Sequence, residues 1–327
     1  MKRSKRWAEG LRRFNADRPE EGRVGFYGLD VYSLWDSMHA VVRYLSRIDP
    51  EAAQVAKQAY RCFEPYGEDV QEYARTTAFV PTSCETELVR ILTMLRRKIR
   101  EYPNDREALF NTEQNALIAL NAERYYRAML HGGPESWNIR DGHMADTLDR
   151  LMQFHGPEAK AIVWEHNTHI GDARATDMAE EGMVNVGQLV RERHGEENAV
   201  LVGFGSYRGS VVAAVEWESP MEIMPVPPAR PGSWEEQVHR IAPGDRLFIF
   251  EALNRLPDRE RFYRPWEHRA IGVVYHPNRE RFGNYVPSMM PRRYDAFLYL
   301  DETEALHPYA IEPREEQEPP ETYPWAA

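Results

Sequence analysis

Residues 31–155 carry one helical pattern after another with no strand between them. Strand-like apolar runs flank the stretch, Arg23–Asp30 (RVGFYGLD) before it and Lys160–His166 (KAIVWEH) after it. Parallel strands need a crossover of only one helix. A stretch this long therefore predicts a helical insertion, about 31–155, standing on an α/β sheet. Further apolar runs follow at Asn198–Gly205, Gly209–Glu216, Arg246–Glu251, Ala270–Tyr275 and Tyr294–Leu300. Most are solidly apolar rather than alternating, the pattern of strands covered on both faces. The expected fold class is α/β, a central, mainly parallel sheet flanked by helices, in one domain over residues 1–310. The spacing predicts helices over 31–48, from Pro50 to about Cys62, and over 86–101, 106–130 and 135–154, the last closed by Gly156-Pro157. Residues 311–327 are rich in Pro and Glu and are expected to be a disordered tail.

Composition narrows the function classes. The formal net charge of -11 argues against a general nucleic-acid binder, which needs a basic face for phosphates. The basic group Arg96, Arg97, Lys98 and Arg100 reads as a solvated helix face. No apolar run approaches the roughly 18 residues that span a membrane, so no membrane partner is expected. The start MKRSKRWAEG has no apolar stretch after its basic residues and does not read as a secretory signal. Cys62 and Cys84 are too few for a disulfide framework and read as two partly buried thiols. A cytoplasmic protein is expected.

Chemistry-bearing residues gather where strands are predicted to end, which is where α/β sheets bind ligands. Asp30 closes the first run. Glu165, His166 and His169 close the second, with Asp172 and Arg174 just beyond. The helix segment Asn138–Thr147 adds Arg140, Asp141 and His143, and the run LVGFGSYRG adds Tyr207 and Arg208. The pair His166-x-x-His169 admits three readings. Zinc would need a third ligand, such as Asp172 or Asp30, and the helical His-Glu-x-x-His pattern is absent. As proton-transfer groups, the histidines would be oriented by a neighbouring carboxylate, and Arg174 would clamp a substrate carboxylate or an oxyanion. As loop polarity, they would only satisfy carbonyl groups. Asp141 near a helix start also has a plain electrostatic explanation. GFGSYRG resembles a nucleotide loop, which leaves an S-adenosylmethionine-dependent methyltransferase as a weak alternative. A strand-like run follows at once, however, so a hairpin turn is the better reading. Ser83 reads as the N-cap of a helix, which leaves Cys84 without a nucleophilic role.

Taken together, several segments resemble the erythromycin esterase family. HNTHIGDARAT is similar to its HN-x-H-x-GD-x-R segment. GRVGFYGLDVYSL, RCFEPYG, SCETELV, EQNALIALNAERYYRAM, ESWNIRDGHMADTL, NVGQLVRER, AVLVGFGSYRGSVVAAVEW and RAIGVVYHPNRER fit the same family in the same order. The resemblance implies a metal-independent hydrolase without cofactor that attacks a carboxylic ester or lactone with histidine-activated water. It carries His166 and His169 over as the catalytic histidines of the HN-x-H segment. It places Asp30, Arg140 and Asp141 near the cleft. Glu165, Asp172, Arg174 and Tyr207 are added as substrate-binding candidates from their strand ends. The family's pattern also has an N-terminal segment with a strand ending in G-E-x-x-H-G-x-x-E and another ending in an acidic E-A-D-type motif. There the resemblance places the water-activating histidine and a glutamate partner. No G-E-x-x-H-G occurs in this sequence. The expectation is a truncated member that needs that segment for activity, with a non-catalytic small-molecule-binding homologue as the alternative. Uncovered sheet edge or helix faces would then favour a homo-oligomer or a separate N-terminal fragment as partner.

Overall fold

The computed structural model describes residues 2–19, 22–66, 70–79, 83–98, 105–129, 133–216 and 219–306. Helix α1 (Lys2–Ala16) is followed by a helical layer: α2 (Leu34–Ile48), α3 (Pro50–Tyr60), α4 (Val70–Phe79), α5 (Glu85–Lys98), α6 (Arg106–Met129) and α7 (Glu135–His155). Local chemistry sets the boundaries. Leu34, Met38, Val41 and Leu45 recur at helical spacing and form the buried stripe of α2. Asp49 caps α3 by accepting from Ala52 N, and Pro50 takes the first-turn position where its missing N–H costs nothing. Gly156, at φ 96°, closes α7 in a conformation that side-chain-bearing residues avoid. Helices α2 to α6 share one apolar core running from Val31 to Tyr126.

The remainder carries short helices and the sheet. These are α8 (Asn167–Ile170), α9 (Val186–His194), β1 (Val202–Ala213), β2 (Glu222–Val226), α10 (Trp234–Ile241) and β3 (Arg246–Ile249). Then come β4 (Trp266–Arg269), α11 (Glu280–Gly283), β5 (Tyr285–Ser288), α12 (Met290–Arg293) and β6 (Ala296–Thr303). The main sheet has the order β2-β1-β6-β3. Its central pair β1–β6 is parallel, from Val202 opposite Ala296 to Gly209 opposite Thr303, and β2 and β3 join antiparallel. Strands β4 and β5 form a separate antiparallel pair. The α/β class holds, with helices flanking a sheet built on a parallel centre.

Several local expectations change. Asn198–Gly205 and Gly209–Glu216 are not two strands around a turn. One strand, β1, runs through GFGSYRG without reversing. Its glycines serve close packing: a Cβ on Gly203 would meet the Tyr294 ring at 2.7 Å, and one on Gly205 the Phe297 ring at 2.6 Å. Ala270–Tyr275 forms no strand and makes one isolated bridge, Ala214 to Val274. Arg23–Asp30 and Lys160–His166 carry no regular secondary structure, and neither enters a ladder. Strands β2 and β5 escaped notice because Pro225 and Pro287 interrupt them, as edge strands tolerate. Among the basic residues of α5, Arg96 pairs with Glu113 and Lys98 with Asp49. Arg100 and the tail 311–327 lie outside the described residues, and no helix among those described is long and apolar enough to cross a membrane.

The cysteines also differ from expectation. Cys62 and Cys84 form a disulfide across a sequence separation of 22 residues, with Cα atoms 5.8 Å apart. The chain leaves Cys62, turns through α4 and returns, so two residues that look unrelated in sequence meet at the start of α5. Cys84, not Ser83, stands at the residue before α5, and its backbone N–H donates to the Tyr73 hydroxyl at 2.9 Å. Such crosslinks belong to oxidising surroundings, so the cysteines no longer argue for a cytoplasmic protein. Closing a loop of this length removes disorder from the unfolded chain. Reduction, or Cys62→Ser with Cys84→Ser, is expected to lower the unfolding free energy by about 3 kcal/mol in urea titrations.

Candidate functional site

Helix α7 supplies one wall of the site. Trp137, Arg140 and Asp141 recur at three- and four-residue spacing and so share a face. Asp141 is fully buried seven residues into the helix, too far from its start for the end-charge explanation. Both of its carboxylate oxygens lie 3.0 Å from His169 Nδ1, and Oδ1 also accepts from Val186 N at 3.0 Å. The acceptor carboxylate assigns the proton to Nδ1 and leaves Nε2, with its lone pair, free of hydrogen bonds among the described residues. The Trp137 ring stacks on the His169 ring with centroids 4.6 Å apart and planes 4° from parallel. Trp137 Nε1 is itself anchored on Val184 O at 2.8 Å, so the imidazole is fixed in both plane and tautomer.

The turn that carries His169 is held by Asn185. Its amide nitrogen donates to Thr168 O and Gly171 O, and its oxygen accepts from Ala173 N and Gln188 N. His166 begins α8 and is differently placed. Its Nδ1 faces the Thr168 hydroxyl at 2.9 Å, and its Nε2 lies 3.0 Å from Ile271 O. The carbonyl can only accept, so Nε2 carries the proton and Nδ1 accepts from Thr168. Desolvation of these nitrogens, with the charges of His169 and Arg293, holds His166 well toward its neutral form, although much of the residue's surface is open to solvent.

Glu165 lies within electrostatic reach of His169, Asp141, Asp30 and Arg140. Both its oxygens are buried without a hydrogen-bond partner. Desolvation is the main cause that pushes its carboxyl up to about 7; His169 opposes the rise, and Asp141 and Asp30 add to it. Asp30 and Arg140 pair through two hydrogen bonds, Nε to Oδ1 at 3.0 Å and Nη2 to Oδ2 at 2.7 Å. Burial alone would raise the Asp30 carboxyl, but the Arg140 hydrogen bonds outweigh it and hold it below the usual range. The Arg140 guanidinium also sits 4.6 Å over the Tyr32 ring.

The remaining candidates lie in other clusters. Asp172 accepts from Arg174 Nε and Nη2 at 2.9 and 2.7 Å and from Arg191 Nη1 at 3.1 Å. Arg174 reaches Glu192 and Glu196 as well, so its charge is spent within that cluster. Tyr207 stacks on His239 at 3.7 Å, and His239 Nδ1 pairs with Asp301 at 2.7 Å. The structure thus gathers Asp30, Arg140, Asp141, Glu165 and His169, sets His166 beside them, and leaves Asp172, Arg174 and Tyr207 elsewhere. Among the described residues, no three His, Cys, Asp or Glu side chains converge to hold a metal.

Sequence reasoning missed two features. Trp137 was legible in principle, since it precedes Asp141 by one helical turn. A second buried pair, Glu235 with His268 Nδ1 at 2.5 Å, gave no signal because α10 and β4 are brought together only by folding. Tyr294 closes the other His268 nitrogen at 3.4 Å, and both members are fully buried, so this pair has no access for a substrate. A cavity of about 430 Å³ between α5, α6 and α7 is lined by Glu85, Arg124 and Arg127. Glu135 lines it as well; Glu85 binds both arginines, and Arg127 also pairs with Glu123.

The fold and this cluster define an α/β protein with an oriented carboxylate–histidine pair and a second, protonatable carboxyl. The sequence profile of the erythromycin esterase family matches residues 4–303, and the chain belongs to that family. Three solved structures share the fold. One is described as a succinoglycan biosynthesis protein (18% identity, TM-score 0.71), with 90% of this chain and 69% of that one covered. The second is a Bacillus cereus protein (15% identity, TM-score 0.73), with 90% and 70% covered. The third is a mutant of the erythromycin esterase EreC in its open conformation (14% identity, TM-score 0.62), with 90% and 72% covered.

Glu165 makes a pH prediction. Its folded-state value near 7 lies above the ordinary 4.5, so the folded state holds the extra proton between these values. Its contribution is therefore most favourable at low pH and is lost as pH rises through about 7. Glu165→Gln should leave stability near pH 5 little changed and raise it near pH 8 by up to about 3 kcal/mol, measured by urea unfolding at both pH values.

Proposed function

We propose that the chain is a hydrolase of carboxylic esters or lactones that uses histidine-assisted attack of water. The observation that carries this reading is the buried Asp141–His169 pair with an unengaged Nε2. In the proposed step, the oxygen of a water bonds to the ester carbonyl carbon as His169 Nε2 takes the water's proton. Asp141 stabilises the imidazolium so formed. The tetrahedral intermediate then expels the alcohol oxygen. Glu165 in its protonated form donates to that oxygen, a task suited to a carboxyl held near 7. His166, with both nitrogens engaged, positions the turn beneath His169. The family membership and the EreC likeness support the same reaction class.

One observation favours the rival reading, a non-catalytic binding protein. Asp30 and Arg140 neutralise each other, and no other cation in the cluster stands free to stabilise an oxyanion among the described residues. Hydrolysis of p-nitrophenyl acetate separates the two. His169→Ala should lower kcat/KM about 100-fold or more, with Asp141→Asn close behind. The wild-type rate should fall as pH rises through the Glu165 value of about 7, and Glu165→Gln should lose that limb. Turnover that survives His169→Ala would overturn the assignment; ester binding without turnover in the wild type would favour the binding protein.

A further inference from the structure

Arg191, Arg269 and Arg293 are the buried arginines among the described residues. The first two have carboxylate partners, Asp172 and Asp295 for Arg191 and Glu280 for Arg269. Arg293 is fully buried and pairs with no carboxylate among the described residues. Its Nη1 donates to Ser288 Oγ at 2.6 Å and its Nη2 to Asn167 O at 3.4 Å, while Nε finds no partner. A buried cation without an ion pair is costly, so its place needs a reason beyond packing. Its surroundings supply one. Arg293 meets the turn of His166 and His169 at both ends: the guanidinium reaches Asn167 O, and the Arg293 carbonyl accepts from Asp172 N at 3.0 Å. Gly171 lets the turn lie directly on it, since a Cβ there would meet Arg293 Nε at 2.8 Å and the Tyr294 ring at 2.7 Å. Behind Arg293 runs a buried line of polar groups. Glu235 Oε1 lies 2.5 Å from His268 Nδ1, and His268 Nε2 lies 3.4 Å from the Tyr294 hydroxyl. The carboxylate assigns the His268 proton to Nδ1, so the Tyr294 hydroxyl donates to Nε2. Burial holds His268 toward its neutral form, and Glu235 and Arg293 act on Tyr294 with opposite signs. Arg269 is taken by Glu280, which leaves Glu235 to balance Arg293 from a distance.

We propose that Arg293 is a positioning residue for the reaction assigned to His169: its guanidinium fixes the turn from beneath through Asn167 O, and its charge reserves proton uptake for His169 over His166. The proposal rests on the hydrolase reading for the reaction it serves, whereas the hold on the turn stands on structure alone. The hold matters because His169 is gripped from α7 alone, by Asp141 at Nδ1 and by the stacked Trp137 ring. A turn that drifts beneath it would carry Nε2 away from the attacking water. The charge matters because two imidazoles three residues apart compete for one proton. Desolvation first, then His169, Arg293 and His268, oppose a charge on His166, and the bond to Ile271 O favours one. His169 has the Asp141 carboxylate against its Nδ1–H, so a proton arriving at Nε2 is compensated there.

The test uses the full chain with p-nitrophenyl acetate. Arg293→Met keeps the length of the side chain and removes its charge and its donors. It should lower kcat about tenfold or more and leave KM within about twofold. The His166 ring signal, assigned against His166→Ala, should titrate at about 4 in the wild type and at clearly higher pH in Arg293→Met. Amides 168–172 should exchange faster with deuterium in that variant. Loss of Arg293 also strands the Glu235 charge, and adding Glu235→Gln removes it. The double variant should recover the urea midpoint lost by Arg293→Met, while kcat stays low because Asn167 O is still unheld. A kcat that returns together with stability would reduce Arg293 to a folding role and overturn the proposal. A folded Arg293→Met with unchanged kcat would overturn it as well. A wild type without turnover would sink the hydrolase reading by itself. The amides and the His166 titration then decide the hold on the turn, and values unchanged in Arg293→Met would overturn that too.

Discussion

A fully buried carboxylate has to be satisfied or the fold pays for its desolvation, and Asp141 is satisfied by two separate parts of the chain. His169 comes from the turn after the segment 160–166, and the Val186 N–H comes from the first turn of α9. One side chain of α7 thereby ties the helical layer to that turn and to α9. The same contact that secures the packing also orients the imidazole. Position and chemistry in this cluster are therefore one constraint, and the residues around it are arranged in consequence. Trp137 fills the space against the ring, Glu165 is left dry beside it, and Arg140 is balanced by Asp30.

Buried cations follow a similar logic under the sheet. Arg269 is almost wholly buried and gives hydrogen bonds to Glu280, Tyr285 and the carbonyl groups of Ser206, Tyr207 and Pro227. It joins β4 to β1 and to the chain leaving β2. A guanidinium suits this position because its planar fork reaches several carbonyl groups at once. Arg293, also buried, spans Ser288 and the Asn167 carbonyl, linking α12 to the turn that holds His169. The sheet and the cleft are thus joined by directional bonds as well as by apolar contact.

How much of this was legible depends on whether a residue's role is local. Helices α2, α3, α5, α6 and α7 were readable because their apolar spacing, Asp49, Pro50 and Gly156 act within a few residues. The family was readable from motifs spread along the chain. What failed was non-local. Gly203 and Gly205 signal a turn in sequence, but their purpose is the approach of Tyr294, just after α12, and of Phe297 in β6. Cys62 and Cys84 gave no hint of each other. His166 and His169 look equivalent three residues apart, yet one faces a carboxylate from α7 and the other a carbonyl near β4. Asp172 and Arg174, so close to the histidines in sequence, turn to α9 instead.

Asn185 shows where chemical likeness misleads. Its amide uses both ends, donating to two carbonyl oxygens and accepting from two backbone N–H groups. Aspartate has the same shape and keeps the acceptors, but it would set a negative charge against two carbonyl oxygens in a site closed to water. Alanine would leave a gap and remove the partner from all four groups. Preserving the volume at this position therefore does not preserve the bonding. Deamidation, which makes that change without any mutation, would loosen the turn under His169 in molecules whose gene is intact.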